Sequence, residues 1–405
     1  MKNFDVIIIG GGAAGFFSAI NIARKNPQLK IVILERNQDF LQKVKVSGGG
    51  RCNVTHACFD AEKLLDFYPR GKAHLLEPFK KFNPTNTVDW FESRKIKLKT
   101  EKDGRMFPVT DSSQTIIDCF LNEAYDFKIE LRTRQKVDKI EKDGNDWVVS
   151  TIFDEEYKAP NLVLTTGSDP LFWRLLQNLQ VPVIQPVPSL FTFNIKDKLF
   201  DDLQGISFEN AKVKIKNTPF ASSGAMLITH WGLSGPAILK LSAFAARDLA
   251  DKDYKFDIEV NFLGDADPNK LREKLQQNIN LIPKKNVIAN AEFGLTSRFW
   301  KAVCNAAGIG EHQKWAETGK KHINAILEVL TKKAFKADGK STFKEEFVTA
   351  GGVDLNAVDL DRFALKEYPN LYLAGEILNI DALTGGFNFQ AAWTGAWLIS
   401  EAIGK

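Results

Sequence analysis

The stretch Asp5-Val6-Ile7-Ile8-Ile9-Gly10-Gly11-Gly12-Ala13-Ala14-Gly15, with Ile31-Val32-Ile33-Leu34-Glu35 further on, decides the fold. Residues 5–9 are a short β-branched run that stops at Gly10, and residues 16–24 have helix-compatible composition, so the order is strand, tight turn, helix. Residues 30–34 supply a second apolar strand ending in Glu35, twenty residues beyond Gly15. Each residue type has a task in a dinucleotide site: Gly10 permits the tight turn, Gly12 lets the backbone approach a pyrophosphate, Gly15 lets helix and strand pack closely, and Glu35 accepts ribose hydroxyls. The helix start, with Ala13 and Ala14, offers N–H groups and the positive end of a dipole to phosphate. A structural glycine turn is the competing reading of GxGxxG alone, and the strand before, the helix after and the acid at the second strand's end decide against it. The acid also repels a 2′-phosphate, which leaves FAD or NAD rather than NADP. Arg36 and Lys43 are further candidate cofactor contacts in the same unit.

A second glycine cluster, Ser47-Gly48-Gly49-Gly50-Arg51-Cys52-Asn53-Val54-Thr55, follows directly and is too glycine-rich for a regular strand or helix. A backbone passes close to something flat or charged there, or the segment is a mobile loop. These residues resemble the SGGGRCN-x-T signature of the HI0933-like or BaiN-like bacterial flavoproteins, within the glutathione-reductase-type FAD superfamily. Further matches are Gly104-Arg105-Met106-Phe107-Pro108-Val109, Thr229-His230-Trp231-Gly232-Leu233-Ser234-Gly235-Pro236-Ala237, Val348-Thr349-Ala350-Gly351-Gly352-Val353, and residues 371–376 with Gly385-Gly386-Phe387-Asn388. The chain departs from the family where Thr165-Thr166-Gly167-Ser168-Asp169-Pro170 replaces an Ala-Thr-Gly-Gly turn, where Asn379 replaces Asp and where Phe387 replaces Tyr.

The resemblance implies an α/β fold: a Rossmann-like FAD-binding domain with an inserted β-barrel and a helical subdomain. It implies that Gly48, Gly49, Gly50, Arg51, Cys52 and Asn53 lie at the flavin. The strands around Asp143-Gly144 then form a meander that crosses the sheet, Val137 meets the adenine through its backbone, and the last strand returns to the flavin at Thr166 and Gly167. Gly375 and Glu376 meet the ribityl and phosphate region. The helix opened by Gly386, Phe387 and Asn388 aims its N-terminus at the pyrimidine end of the isoalloxazine, where reduction places negative charge. A generic terminal helix is the alternative at that last motif.

The expected organisation is a discontinuous FAD-binding domain of residues 1–190 and 345–405, a barrel of residues 191–265 rich in short strand-like runs, and a helical subdomain of residues 266–344. A chain of 405 residues is long enough for two or three domains. Its net charge of +4 is spread over interleaved acids and bases, which gives no basic stripe and argues against nucleic acid as a partner. The apolar run at residues 6–9 is too short for a signal segment or a membrane span, so a cytoplasmic protein without a membrane partner is expected. The four cysteines show no C-x-x-C and no metal-ligand spacing with the five histidines, so no metal site is expected. The sequence sets no oligomeric state.

One GxGxxG is present, and Gly308-Ile309-Gly310 lacks the preceding strand, so no dedicated NAD(P)H domain is expected; NAD(P)H remains a candidate transient donor to FAD. The expected activity is that of an oxidoreductase exchanging hydride between flavin N5 and a small amine, hydroxy or enoyl substrate held by residues 191–344. A flavin-bearing RNA-modification factor and a redox sensor with slow turnover are the alternatives. His230, on a turn beside Gly232, is the candidate proton-transfer group; the competing reading is a capping or packing histidine. Cys52 reads as a small residue packed beside the ring, or as a thiol that forms a flavin adduct.

Overall fold

Residues 6–9 and 31–34 are apolar throughout, the pattern of strands covered on both faces. A computed structural model describing residues 1–341 and 348–404 places them side by side within a seven-stranded sheet. Its order is Val358–Asp359, Ala364–Leu365, Leu371–Leu373, Asn161–Leu164, Val6–Ile9, Ile31–Leu34, Glu130–Arg132. The last five run parallel, with Ile7 opposite Val32 on one side and Leu162 on the other. The sheet therefore joins the first strands of the chain to one laid down more than three hundred residues later. A four-stranded meander of Val137–Asp143, Asp146–Thr151, Glu156–Ala159 and Lys2–Asn3 accompanies it.

Helices Ala13–Lys25 and Phe387–Ile403 pack against each other, and both are apolar around much of their circumference. Their seam is aromatic: the Phe17 ring lies 4.6 Å from Trp90 and 5.1 Å from Trp393, and Phe120 lies 5.7 Å from Trp393. Such rings bury large areas and gain from tilted and edge contacts, so this seam holds the N- and C-terminal segments together.

The chain divides into two compact units, Met1–Val187 with Val348–Lys405, and Pro188–Phe347. The second unit is a closed barrel of Thr192–Ile195, Gly232–Ser234, Ala221–Ile228, Ser207–Ile215, Lys255–Asn261 and Lys333–Ser341. Between its last two strands the chain forms helices Pro268–Leu281, Ser297–Ala306 and Lys320–Thr331. The helices share the barrel's core: Leu275, Phe299, Trp300 and Ile326 pack in one cluster with Phe193, Val213, Ile258 and Phe335. The helical stretch expected from residue 266 thus ends in a barrel strand rather than standing apart. The boundary expected at residues 344 and 345 lies outside the described residues. Among the described residues no helix is long and apolar enough to cross a membrane.

Candidate cofactor site

The first glycine turn separates structural tasks from open space. A Cβ on Gly10 (φ 107°) or Gly15 would collide with the backbone: that of Gly10 with Thr165 O, and that of Gly15 with Gly10 O, standing also 2.9 Å from Thr165 Oγ1. Thr165 Oγ1 donates to Gly10 O at 2.9 Å, which fixes the turn against the neighbouring strand. A Cβ on Gly12 would meet nothing within 4 Å. Gly12 is also the N-cap of helix Ala13–Lys25, and no side chain caps that helix. Its first N–H groups, at Ala13 and Ala14 among others, are therefore available to an anion.

Glu35 is nine-tenths buried beside this turn. Its Oε2 accepts from Gly11 N–H at 2.9 Å, and its Oε1 accepts from Asn37 N–H at 2.8 Å and Asn37 Nδ2 at 2.7 Å. A carboxylate has about four acceptor positions, so one at Oε2 is left for a ribose hydroxyl. Asn37 was not singled out from the sequence, although its position two residues after the acid is that of a local side-chain cap. Glu35→Ala is expected to weaken FAD retention by about 1.5 to 3 kcal/mol, the worth of charge-assisted hydrogen bonds. Flavin occupancy after dialysis measures it, and unchanged occupancy would show that the acid serves only the loop.

Gly375, Glu376, Lys43 and Gly167 converge. A Cβ on Gly375 would lie 3.7 Å from Ala14 Cβ, and one on Gly167 (φ 64°) 3.6 Å from Glu376 Oε2 and 3.9 Å from Lys43 Nζ. Lys43 and Glu376 form an ion pair, and Arg36 pairs with Asp169, the N-cap of helix Pro170–Asn178. Thr166 Oγ1 is buried beside Gly167 without a hydrogen-bond partner. Val137 is buried at the start of its strand, where the register shifts between Val137 and Lys139.

In the second glycine cluster, helix Gln42–Gly50 breaks at Ser47: Gly48 and Gly49 are left-handed (φ 58° and 69°), and Gly49 and Gly50 face open space. The side chains around them turn elsewhere. Arg51 stacks its guanidinium 3.9 Å over Phe107 and pairs with Glu101 at 2.6 Å, which holds it above the usual arginine range. Asn53, in the amide orientation that satisfies both ends, donates to Thr55 O at 3.0 Å and accepts from Gly386 N–H at 3.0 Å. Trp393 Nε1 donates to Val54 O at 2.9 Å, and Thr55 Oγ1 donates to Gln390 Oε1 at 2.7 Å. These buried bonds dock the glycine loop on the start of helix Phe387–Ile403, whose N-cap, Gly386, would clash with the Thr55 backbone if it carried a Cβ.

The Phe387 ring is enclosed by protein, stacked 4.1 Å from Phe67 and 4.5 Å from His56. The Asn388 amide exchanges two hydrogen bonds with the Ala382 backbone, at 2.9 and 3.0 Å. What this helix start can offer a ligand is thus backbone rather than the side chains of residues 387 and 388. His56, Tyr68 and Gln390 were missed in the sequence because their use depends on partners far away in the chain. Tyr68 Oη, for instance, donates to Phe387 O at 2.6 Å.

Cys52 is buried, and burial pushes its thiol to about 12, as it does for Cys119 and Cys304. A thiol that high is protonated at neutral pH and a poor nucleophile. Alkylation of the folded protein at pH 8 should therefore label Cys58, the half-exposed cysteine, ahead of the other three. Mass spectrometry reads the order, and rapid labelling of Cys52 would contradict the geometry. His230 belongs to the barrel unit, exposed on the turn after strand Ala221–Ile228.

The open positions at Gly12, Gly49 and Gly50 and the uncapped helix start fit the pyrophosphate and ring of a flavin dinucleotide. The model of the HI0933-like protein Rossmann domain matches residues 4–402. The chain belongs to this family. Over 414 residues, all of this chain and 98% of the other, it is 25% identical to a ribosomal RNA dihydrouridine synthase of Escherichia coli. It is 24% identical to a 3-dehydro-bile acid delta(4,6)-reductase of Clostridium scindens, over 98% of each chain. In three dimensions it resembles a 3-ketosteroid delta1-dehydrogenase from Sterolibacterium denitrificans, with a TM-score of 0.53 at 11% identity, covering all of both chains. That last likeness is one of fold. This HI0933-like protein is thus a flavin-dependent oxidoreductase built on a Rossmann-like FAD-binding domain.

Proposed function

We propose that this HI0933-like protein reduces a carbon–carbon double bond conjugated to a carbonyl, taking its electrons from NAD(P)H by way of FAD. The observation that carries the reading is that two relatives matching the chain end to end bear names for such reductions. Dihydrouridine is uridine with the ring double bond next to a carbonyl saturated, and a delta(4,6)-reductase of a 3-dehydro compound saturates double bonds conjugated with its ketone. Bound FAD supplies hydride transfer at N5.

The chain's own residues bind, orient and move a proton. Backbone N–H groups of Gly12, Ala13 and Ala14 hold the pyrophosphate, Glu35 the ribose, and the Val137 backbone the adenine. Lys43 and Glu376 with Gly167, Thr166 and Gly375 would hold the ribityl and phosphate region, and Gly48 to Gly50 would leave room for the ring. The N-terminus of helix Phe387–Ile403 would offer its dipole and free N–H groups to the pyrimidine edge of bound FAD, where reduction places negative charge. The N- and C-terminal segments form the flavin domain in this reading, and the insert between them holds the substrate. His230 would give a proton from a ring nitrogen to the α carbon of the substrate, and FAD when bound and reduced would supply the hydride that completes the addition of two hydrogens.

The second reading, a uridine of ribosomal RNA as the acceptor, is favoured by the dihydrouridine synthase relatives. Anaerobic photoreduction of the FAD-loaded protein, followed by mixing with cyclic enones, uridine, a uridine-containing RNA fragment and quinones, tests both. Rapid return of the oxidised flavin spectrum with an enone supports the lead reading, and return with RNA alone supports the second. If no unsaturated carbonyl compound speeds reoxidation, the reading is wrong.

A further inference from the structure

Residues 53–56 carry the chain from the glycine loop onto the start of helix Phe387–Ile403. Asn53 accepts from Gly386 N–H, and the Thr55 backbone lies where a Cβ on Gly386 would be. His56 is thereby delivered beside the paired glycines: its ring stacks on Phe387 at 4.5 Å and 23°, and a Cβ on Gly385 would stand 3.5 Å from its Cδ2. Gly104 closes another side of the ring, since a Cβ there would collide with the imidazole.

The contacts of the ring fix its neutral form. Nε2 lies 3.0 Å from Asp103 O, and a carbonyl oxygen only accepts, so Nε2 carries the hydrogen. Nδ1 then holds the lone pair, and it is buried with no hydrogen-bond partner among the described residues. Burial holds this half-buried imidazole below the usual histidine range; Arg105 acts in the same direction, and the Asp103 carbonyl and carboxylate act against it. From the other side Phe67 and Phe387 bring only rings. Cys58 and Tyr68, the titrating side chains next along the chain, are neutral acids that burial holds above their usual ranges, so neither takes up a proton.

Reduction of a bound isoalloxazine places negative charge at its pyrimidine edge, and a charge away from water needs a compensating one. The cations of the surrounding motifs are already matched: Lys43 by Glu376, Arg51 by Glu101 and Arg70 by Asp381. The first turn of the helix, Phe387-Asn388-Phe389-Gln390, contains no base. What remains is the helix dipole, equivalent to about half a charge, and an imidazole with an empty lone pair.

We propose that His56 takes up a proton at Nδ1 when the bound FAD is reduced, so that the imidazolium, with Nε2–H still on Asp103 O, balances the charge on the pyrimidine edge. One proton passes from solvent to the ring, and the electrons enter the flavin from NAD(P)H or, in the test, from a photoreductant. His56 acts in this way only if the pyrimidine edge lies at this helix start, as read above, and regardless of the substrate. The sign of the pH effect follows. A histidine that binds its proton more tightly in the reduced protein stabilises reduced FAD fully below its titration in the oxidised protein, and that stabilisation is lost as pH rises through its titration in the reduced one.

Two measurements on the FAD-loaded full chain test this. NMR of isotope-labelled histidine reads the two ring nitrogens before and after anaerobic photoreduction: oxidised protein at neutral pH should show a protonated Nε2 and a bare Nδ1, and reduction should protonate Nδ1. The midpoint potential of the wild-type protein and of His56→Gln is then followed between about pH 5 and 8. Glutamine can keep a donor for Asp103 O and cannot gain a proton. At the acid end the wild-type protein should favour reduced over oxidised FAD about tenfold more than the variant does, roughly 30 mV for a two-electron couple, and the gap should close as pH rises. A ring that stays neutral in both states, or a gap of the same size at every pH, overturns the proposal. Should His56→Gln fail to hold FAD, the wild-type spectra decide alone. The placement of the cofactor is read separately: loading FAD into the apoprotein should move the His56 resonances, and resonances that stay put sink the placement and the proposal together. Neither measurement contains an enone, so both stand apart from the reductase reading.

Discussion

Gly12→Ala should lower FAD affinity by about 100-fold while leaving the unfolding temperature of the cofactor-free protein unchanged. The backbone at Gly12, φ −94° and ψ −167°, is one that alanine adopts freely, and the new methyl would meet no protein atom within 4 Å. Any cost must then come from the space it takes away from a ligand. Gly15→Ala is the control, because its methyl collides with Gly10 O and crowds Thr165 Oγ1, so it should destabilise the fold by about 1 to 3 kcal/mol as overpacking does, and lose flavin with it. Thermal unfolding and flavin content after gel filtration separate the two outcomes. A Gly12→Ala protein that keeps its full complement of FAD would remove the pyrophosphate from this turn.

The second large effect is on rate. His230→Gln should lower the rate of substrate reduction by about 10²-fold with FAD still bound, because a positioned proton donor typically contributes that much. The imidazole is exposed on a turn fixed by hydrogen bonds from Thr229 and Trp231, so its replacement removes a proton-carrying side chain without touching the core. Stopped-flow traces of substrate reduction, with flavin content measured on the same samples, check it. A variant within about twofold of wild type would leave His230 with a structural part and the proton donor unassigned.

The backbone half of the site was legible in the sequence, and the side-chain half was not. Gly10, Gly12 and Gly15 announce themselves because a glycine requirement is local: it follows from φ, or from the next strand passing close by, at a fixed spacing. Arg51 and Asn388 sit in equally strong motifs, yet their side chains go to Glu101 and to Ala382, partners that only the folded chain supplies. The Glu35 carboxylate was singled out for its position at the strand end, and its bonds to Gly11 and Asn37 make it a support of the loop, which the position alone does not reveal. The sixth barrel strand, Lys333–Ser341, went unread because only Phe335 and Ala337 are buried in it, too weak an alternation to stand out after three helices. The opposite case is Leu371–Leu373, three wholly buried residues before Gly375, whose type could be read directly from composition.

The junction of Ala14 with Gly375 sets a timetable for the protein's synthesis. Ribosomes extend chains at roughly 5 to 20 residues per second, so about 20 to 70 seconds separate the emergence of the glycine turn from that of the strand and helix that complete its surroundings. During that interval the nascent chain carries strands Val6–Ile9 and Ile31–Leu34, but strand Asn161–Leu164 still lacks its partner Leu371–Leu373, and the Phe17 face still lacks Trp393. The surroundings of the glycine turn are therefore complete only after the last strand and helix are made, and strand Asn161–Leu164 keeps an unpaired apolar edge until then. Cells short of riboflavin should accumulate full-length apoprotein rather than ribosome-stalled fragments.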